Sequence, residues 1–243
     1  MSGPRLQVRD DDALAARAAA RFIAECARSA VSRRGKCFVA FSGGNTPRPM
    51  LGALVAEDLP WRDLHIFQVD ERAAPQGHSD RNLTQLQQTL LGKTPLTAGA
   101  LHAMPVEEED LEAAAGRYGQ ELAATAGSPV ALDLVHLGLG GDGHTASLVP
   151  GDAALQVSDR DVAVTDDYRG YRRMTLTLPI LDRARQRLWL VTGGGKAAML
   201  ARLCAGDQSI PAGRVHAGDS IVFADRAATN EGPPLPLWGR GLG

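Results

Sequence analysis

KCFVAFSGGNTPRPMLGALVAE, residues 36–57, holds three local instructions in one stretch. KCFVAF (36–41) is a short apolar run, the pattern of a strand buried on both faces. SGGNTP interrupts it with two glycines. PRPMLGALVAE then reads as a helix, with Pro47 near the first helical position and Thr46 near the N-cap. Strand, glycine turn and helix together form the unit from which α/β sheets are wound.

Outward from this unit the alternation continues. Residues 12–34 are alanine-rich, and Leu14, Ala18, Phe22 and Cys26 recur every four positions. That spacing predicts an amphipathic helix, ended by Arg33, Arg34 and Gly35. LHIFQVD (64–70), the region 132–138, DVAVTD (161–166), RRMTLTL (172–178), RLWLVTG (187–193) and SIVFAD (220–225) read as strands. DRNLTQLQQTLL (80–91), opened by Asp80, the acid-started segment 107–126 and the segment after Gly193 read as helices. The expected fold is α/β, a mostly parallel sheet with helices on both faces. One domain over residues 1–228 is expected, followed by a loose Pro/Gly-rich tail over 229–243.

The bulk properties narrow the function classes. Lys and Arg total 26 and Asp and Glu 28 in 243 residues, a formal net charge of -2. A near-neutral chain offers no electrostatic case for nucleic acid or a membrane surface. Cys26, Cys37 and Cys204 are few, odd in number and far apart, which argues against a disulfide framework and for a reducing compartment. The N-terminal MSGPRLQVRDDD has no apolar signal core, and no window approaches a membrane span, so a cytoplasmic protein is expected.

In an open parallel sheet the loops after the strands share one edge, and ligands bind there. Four unusual segments follow strands: Ser42-Gly43-Gly44-Asn45, Asp70-Glu71-Arg72, Gly140 to His144, and Gly193-Gly194-Gly195-Lys196. The first suits a phosphate. Gly43 and Gly44 let the backbone approach an oxyanion, the next helix offers free N–H groups, and Ser42 and Thr46 can add hydroxyls. It also fits an ordinary tight turn. Lys196 can supply a cation, but this is no Walker A loop, because Leu190 and Ala197 stand where glycine and Ser or Thr are needed.

GLGGDGHTASL (138–148) matches G-x-G-x-x-G letter by letter. A dinucleotide loop, however, leads into a long helix, and Pro150-Gly151 allows only a short one over Ser147. Asp142 would also repel a pyrophosphate. What the stretch offers is a carboxylate and an imidazole two residues apart. An imidazole, with its ordinary pKa of ~6.5, suits proton transfer near neutral pH. A structural hydrogen bond is the other reading of His144. There is no G-x-S-x-G and no H-E-x-x-H, and the six histidines show no metal-ligand spacing.

SGGNTP, VDER, DRNL, GLGGDGHTASLVPG, RRMTLTLP and GGGKAAML occur in the order found in 6-phosphogluconolactonases, and the chain resembles that family from about residue 10 to residue 228. The resemblance implies a modified Rossmann-like fold. It also implies hydrolysis of 6-phosphoglucono-δ-lactone in the oxidative pentose phosphate pathway, without metal or organic cofactor. The sister family, the glucosamine-6-phosphate deaminases, shares the SGG loop, the Asp-Glu pair and GDGH. Val149, however, stands where the deaminases carry a glutamate, and Arg72 follows Asp70-Glu71 as in the lactonases. A non-catalytic sugar-phosphate sensor on the same scaffold is the third reading, opposed by the retention of both Asp142 and His144.

On the lactonase reading, His144 activates water and Asp142 orients it. Ser42, Gly43, Gly44, Thr46 and Lys196 hold the phosphate, with Arg72 or Arg81. Many lactonases carry Ser-Asn after the DER segment. Here the stretch reads His78-Ser79-Asp80-Arg81-Asn82, and Arg81 and Asn82 are carried over to the binding set. Asp70 and Glu71 bind sugar hydroxyls, hold Arg72, or form an ion pair at a strand end. The expected partner is a small sugar phosphate lactone, and the expected state a monomer or weak dimer.

Overall fold

The structure, a computed structural model, describes residues 3–230. The tail expected over 229–243 lies, from residue 231 on, outside the described residues. Ten strands are present among them: β1 (Arg5–Arg9), β2 (Cys37–Phe41), β3 (Leu64–Gln68), β4 (Asp70–Arg72), β5 (Leu101–His102), β6 (Leu134–Leu137), β7 (Val162–Val164), β8 (Arg173–Leu176), β9 (Arg187–Val191) and β10 (Ser220–Asp225). Six α-helices connect them: α1 (Asp12–Arg34), α2 (Pro47–Leu54), α3 (Asn82–Leu90), α4 (Leu111–Ala126), α5 (Leu178–Arg183) and α6 (Ala197–Cys204).

Seven strands form a sheet in the order β1-β10-β9-β6-β2-β3-β5, and every pairing in it is parallel. Alternate residues of the five inner strands β10, β9, β6, β2 and β3 enter two separate cores. Val39, Phe41, Leu64, Ile66, Leu188 and Leu190 pack with α1, α2 and α3, whereas Ala40, Phe67, Val135, Leu137, Trp189 and Val191 pack with α4, α5 and α6. Period-two side chains on a sheet covered on both faces give this division, and it explains why the strands read as continuous apolar runs.

Helix α1 holds its expected bounds. Asp11 Oδ1 accepts from the Leu14 N–H at 2.6 Å, and Gly35 ends the helix in the left-handed region at φ 77°. Its buried face differs from the expected stripe. Ala15, Ala16, Ala19, Ala20, Ile23, Ala24, Ala27 and Ala30 are buried, and Leu14, Ala18, Phe22 and Cys26 flank them. Alanines bring the helix axis close to the sheet, so the larger side chains move to the sides.

Four local expectations change. The strand read over 64–70 divides: β3 stops at Gln68, and β4 leaves to pair antiparallel with β8, which also pairs with β7. Asp80 does not open α3, which begins at Asn82 without a local side-chain cap. No helix covers Ser147; Thr145 and Leu148 close a turn there, with Ala146 at φ 51°. The edge strand β1, RLQVR, has no apolar run to reveal it and pairs only with β10.

Candidate active site

Strands β2 and β6 are neighbours in the centre of the sheet. From β2 the chain steps outward to β3, and from β6 it steps the other way to β9. The order therefore reverses between them, and the crevice over their C-terminal ends is where such sheets bind ligands. A cleft of about 360 Å³ lies there. The loops after β9, β6, β2 and β3 meet at it in that order, so all four segments singled out in the sequence converge.

Ser42, Gly43, Gly44, Thr46, Asp70, Arg72, Asn82, His144 and Lys196 line the cleft. The lining carries four cations, Arg72, Arg169, Arg173 and Lys196, against one carboxylate, Asp70. The volume suits a small anionic ligand, and arginine forks suit phosphate oxygens.

In the first loop, Gly43 is required by packing: a Cβ there would stand 1.8 Å from Asn82 Oδ1. Gly44 sits at φ 108°, which favours glycine. Two expected donors are already committed. The Gly44 N–H donates to Gln85 Oε1 at 3.1 Å, and the Ser42 hydroxyl donates to the His136 carbonyl at 3.0 Å. Thr46 occupies the N-cap of α2 without making a side-chain cap bond. The N–H groups of Gly43, Asn45 and Thr46 carry no hydrogen bond to a described residue and stand beside the start of α2. These are the groups with which a helix N-terminus holds an anion.

The β6 loop presents the dyad. His144 Nδ1 lies 2.6 Å from Asp142 Oδ1, and the Tyr168 hydroxyl donates to Asp142 Oδ2 at 2.9 Å. Partial burial raises the Asp142 carboxyl. The His144 charge and the hydrogen bonds from His144 and Tyr168 outweigh it, lowering the carboxyl to about 2. An ionised Asp142 accepts a hydrogen bond from Nδ1–H, which leaves the Nε2 lone pair as the basic site of His144. His144 lines the cleft, and Asp142 stands behind it. The N–H groups of Gly140 and Gly143 are committed to the carbonyls of His144 and Gly140.

Asp70 is a buried carboxyl at the cleft floor. Its Oδ2 accepts from the Ser147 hydroxyl at 2.6 Å, and Asn82 Nδ2 donates to its backbone oxygen at 2.8 Å. Burial pushes the Asp70 carboxyl up, against the pull of the Ser147 hydrogen bond and of the Arg173 and Arg72 charges. His136, also buried, is pushed down by burial to about 3 and is therefore neutral at pH 7.

Glu71 and Arg81 lie outside the cleft lining. Glu71 is fully buried and accepts from Gln68 Nε2 and from the N–H groups of Arg72, Asn82 and Leu83, all within 2.8–2.9 Å. It thereby caps α3 from a distant part of the chain. It receives the Arg72 backbone, not its guanidinium, and no carboxylate oxygen is left over for a sugar hydroxyl. Arg81, 1% exposed, donates to Ala74 O at 3.0 Å and to Glu107 at 2.6 Å. Its Nε stands 3.1 Å from Glu71 as an ion pair without hydrogen-bond alignment. Arg81 borders only an adjoining cavity of about 300 Å³. Arg72 reaches both spaces and donates to the Asp80 carbonyl.

Tyr168, Arg169 and Arg173 were not found from the sequence. They belong to the antiparallel β7–β8 hairpin, and the rule that ligands gather after parallel strands does not reach it. The YRGY turn and the RRMTLTLP block, read as a strand, were the local signals. Among the described residues no group of three or more His, Cys, Asp or Glu could hold a metal ion, and no helix is long and apolar enough to cross a membrane.

Comparison with known proteins finds relatives that span most of the chain. Residues 9–223 match the family model described as glucosamine-6-phosphate isomerases/6-phosphogluconolactonase. A 6-phosphogluconolactonase of Synechocystis sp. is 38% identical over 207 residues, covering 82% of this chain and 86% of that protein. One of Mycobacterium tuberculosis is 36% identical over 238 residues, covering 92% and 96%. The solved 6-phosphogluconolactonase of Trypanosoma cruzi superposes with a TM-score of 0.85 at 26% identity, covering 95% of this chain and 97% of that one. The chain belongs to the glucosamine-6-phosphate isomerase/6-phosphogluconolactonase family.

Proposed function

We propose that this protein hydrolyses 6-phospho-D-glucono-1,5-lactone to 6-phospho-D-gluconate, the second step of the oxidative pentose phosphate pathway. The observation that carries the reading is the Asp142–His144 dyad opening into a cleft rich in cations. The names of the relatives support the same substrate.

The substrate phosphate rests on the free N–H groups of Gly43, Asn45 and Thr46, and Lys196 neutralises its charge. His144 Nε2 removes a proton from water as the water oxygen attacks C1. Asp142 stabilises the imidazolium that forms. The guanidinium groups lining the cleft stabilise the oxyanion; in the glycine-rich loop the N–H groups of Gly140 and Gly143 are already committed. The tetrahedral intermediate then collapses, the C1–O5 bond breaks, and the imidazolium returns the proton to O5. Val149, buried in the core, has no carboxylate with which to assist the ring opening of an amino sugar.

Freshly made lactone, followed by NMR or by a coupled dehydrogenase, tests the reading, with ammonia release from glucosamine 6-phosphate measured in parallel. Metal-independent lactone hydrolysis without ammonia is expected. His144→Ala should lose ~10²–10⁴-fold in turnover and still bind 6-phosphogluconate. A wild-type protein that accelerates neither reaction would overturn the assignment.

A further inference from the structure

The β7–β8 hairpin ends in the turn Tyr168-Arg169-Gly170-Tyr171. Tyr168 and Tyr171 pair across it, with the Tyr168 N–H donating to the Tyr171 carbonyl at 3.0 Å. Arg169 and Gly170 both have positive φ, 56° and 85°, as a two-residue hairpin turn of the primed type requires. The tip is thus built to a defined shape, although arginine rarely adopts such a conformation.

That shape brings Tyr168 to the back of the dyad. Its hydroxyl donates to Asp142 Oδ2, and its ring meets the His144 ring edge-on at 5.7 Å between centroids. Arg169 and Arg173 stand over the Tyr168 ring at 5.0 and 5.1 Å, and Arg173 Nη2 donates to the Tyr168 carbonyl at 3.2 Å. Tyr168 itself is not part of the cleft lining. It meets the reacting groups only through Asp142 and His144.

We infer that Tyr168 is a positioning residue: its hydroxyl holds one oxygen of Asp142 in place and tempers the negative charge that the other presents to His144 Nδ1. The inference rests on the hydrolytic role proposed for His144. The charged and titratable groups facing this cluster are Asp142 and His144 on the β6 loop and Arg169 and Arg173 on the hairpin. The phenol withdraws negative charge from Asp142. Without it, Asp142 presses more charge on His144, the imidazolium is favoured, and the neutral base forms only at higher pH.

Tyr168→Phe keeps the ring and removes the hydroxyl. Tyr171→Phe is the matched control, since its hydroxyl goes to Asp80 at the far side of the same turn. In Tyr168→Phe the acid-to-neutral transition of the His144 imidazole, followed by NMR, should move to higher pH. The acid limb of the rate profile should move with it. Turnover should fall about tenfold, the worth of one hydrogen bond to a charged group, with KM unchanged. Tyr171→Phe should match wild type in all three. An unmoved imidazole transition, or a turnover loss that follows lowered melting temperature alone, would overturn the inference. The NMR readout needs no substrate. Failure of the lactonase reading, seen as an inactive wild type, is therefore distinguishable from failure of this one.

Discussion

Alanine at position 140 would place a methyl group where the dyad now lies. A Cβ on Gly140 stands 2.1 Å from His144 Nδ1, 2.4 Å from its Cε1 and 2.6 Å from Asp142 Oδ1. Gly140 is not among the glycines with positive φ, so its backbone accepts alanine without strain. The conflict is therefore with the side chains alone. Ordinary contact needs ~3.5 Å, so the imidazole has to withdraw by more than ~1 Å. Its 2.6 Å bond to Asp142 breaks as it does so. A displacement of that size at a reacting group costs ~10²-fold in rate. Gly140→Ala should accordingly lose about two orders of magnitude in turnover of fresh lactone, while 6-phosphogluconate still binds, because the groups proposed to hold its phosphate lie on other loops. Gly141→Ala is the control: a Cβ there has nothing within 4 Å. Steady-state rates with melting curves for both variants decide the matter. A folded Gly140→Ala protein with wild-type turnover would show that the dyad does not need the geometry described, and the assignment of His144 as the base would fall.

Two further outcomes follow from the buried polar groups. Glu71→Ala removes the cap of α3 and leaves Arg81 buried beside Glu107 alone, so chemical denaturation should report a loss of ~3–5 kcal/mol; an unchanged midpoint would contradict the capping role. His136 titrates at about 3 in the folded protein and near ~6.5 when unfolded. Between those values the unfolded chain binds the extra proton, so wild-type stability should fall as pH drops from about 6.5 toward 3, by up to ~1.4 kcal/mol per pH unit. His136→Gln should lose that one-proton slope, and parallel stability curves for the two proteins would sink the prediction.

Much of the candidate site was legible because three of its four loops each carry their own local signal. The glycines of SGGNTP, the acid–imidazole spacing of GDGH and the lysine after GGG mark strand ends, and parallel topology brings strand ends together. The roles of Glu71 and Arg81 were not legible. Adjacent letters in DER point to different environments, Asp70 to the cleft floor and Glu71 to the buried start of α3, because successive residues on a strand face opposite ways. Local sequence does not say which side is solvent. Ser42 and Gly44 likewise carry the expected donors, yet His136 and Gln85, far off in the chain, had already taken them.

The sequence by itself determined the layered α/β architecture and the position of the dyad. Both rest on periodicity and on interactions within a few residues: apolar runs for buried strands, and Asp142 two positions from His144. Only the tertiary structure decided what surrounds them. The hairpin of β7 and β8 is antiparallel and folds back over the sheet edge, bringing Tyr168, Arg169 and Arg173 to a loop that ends more than twenty residues earlier. Such contacts depend on where a whole element docks, and docking is set by burial summed over both cores, which no short window of sequence contains.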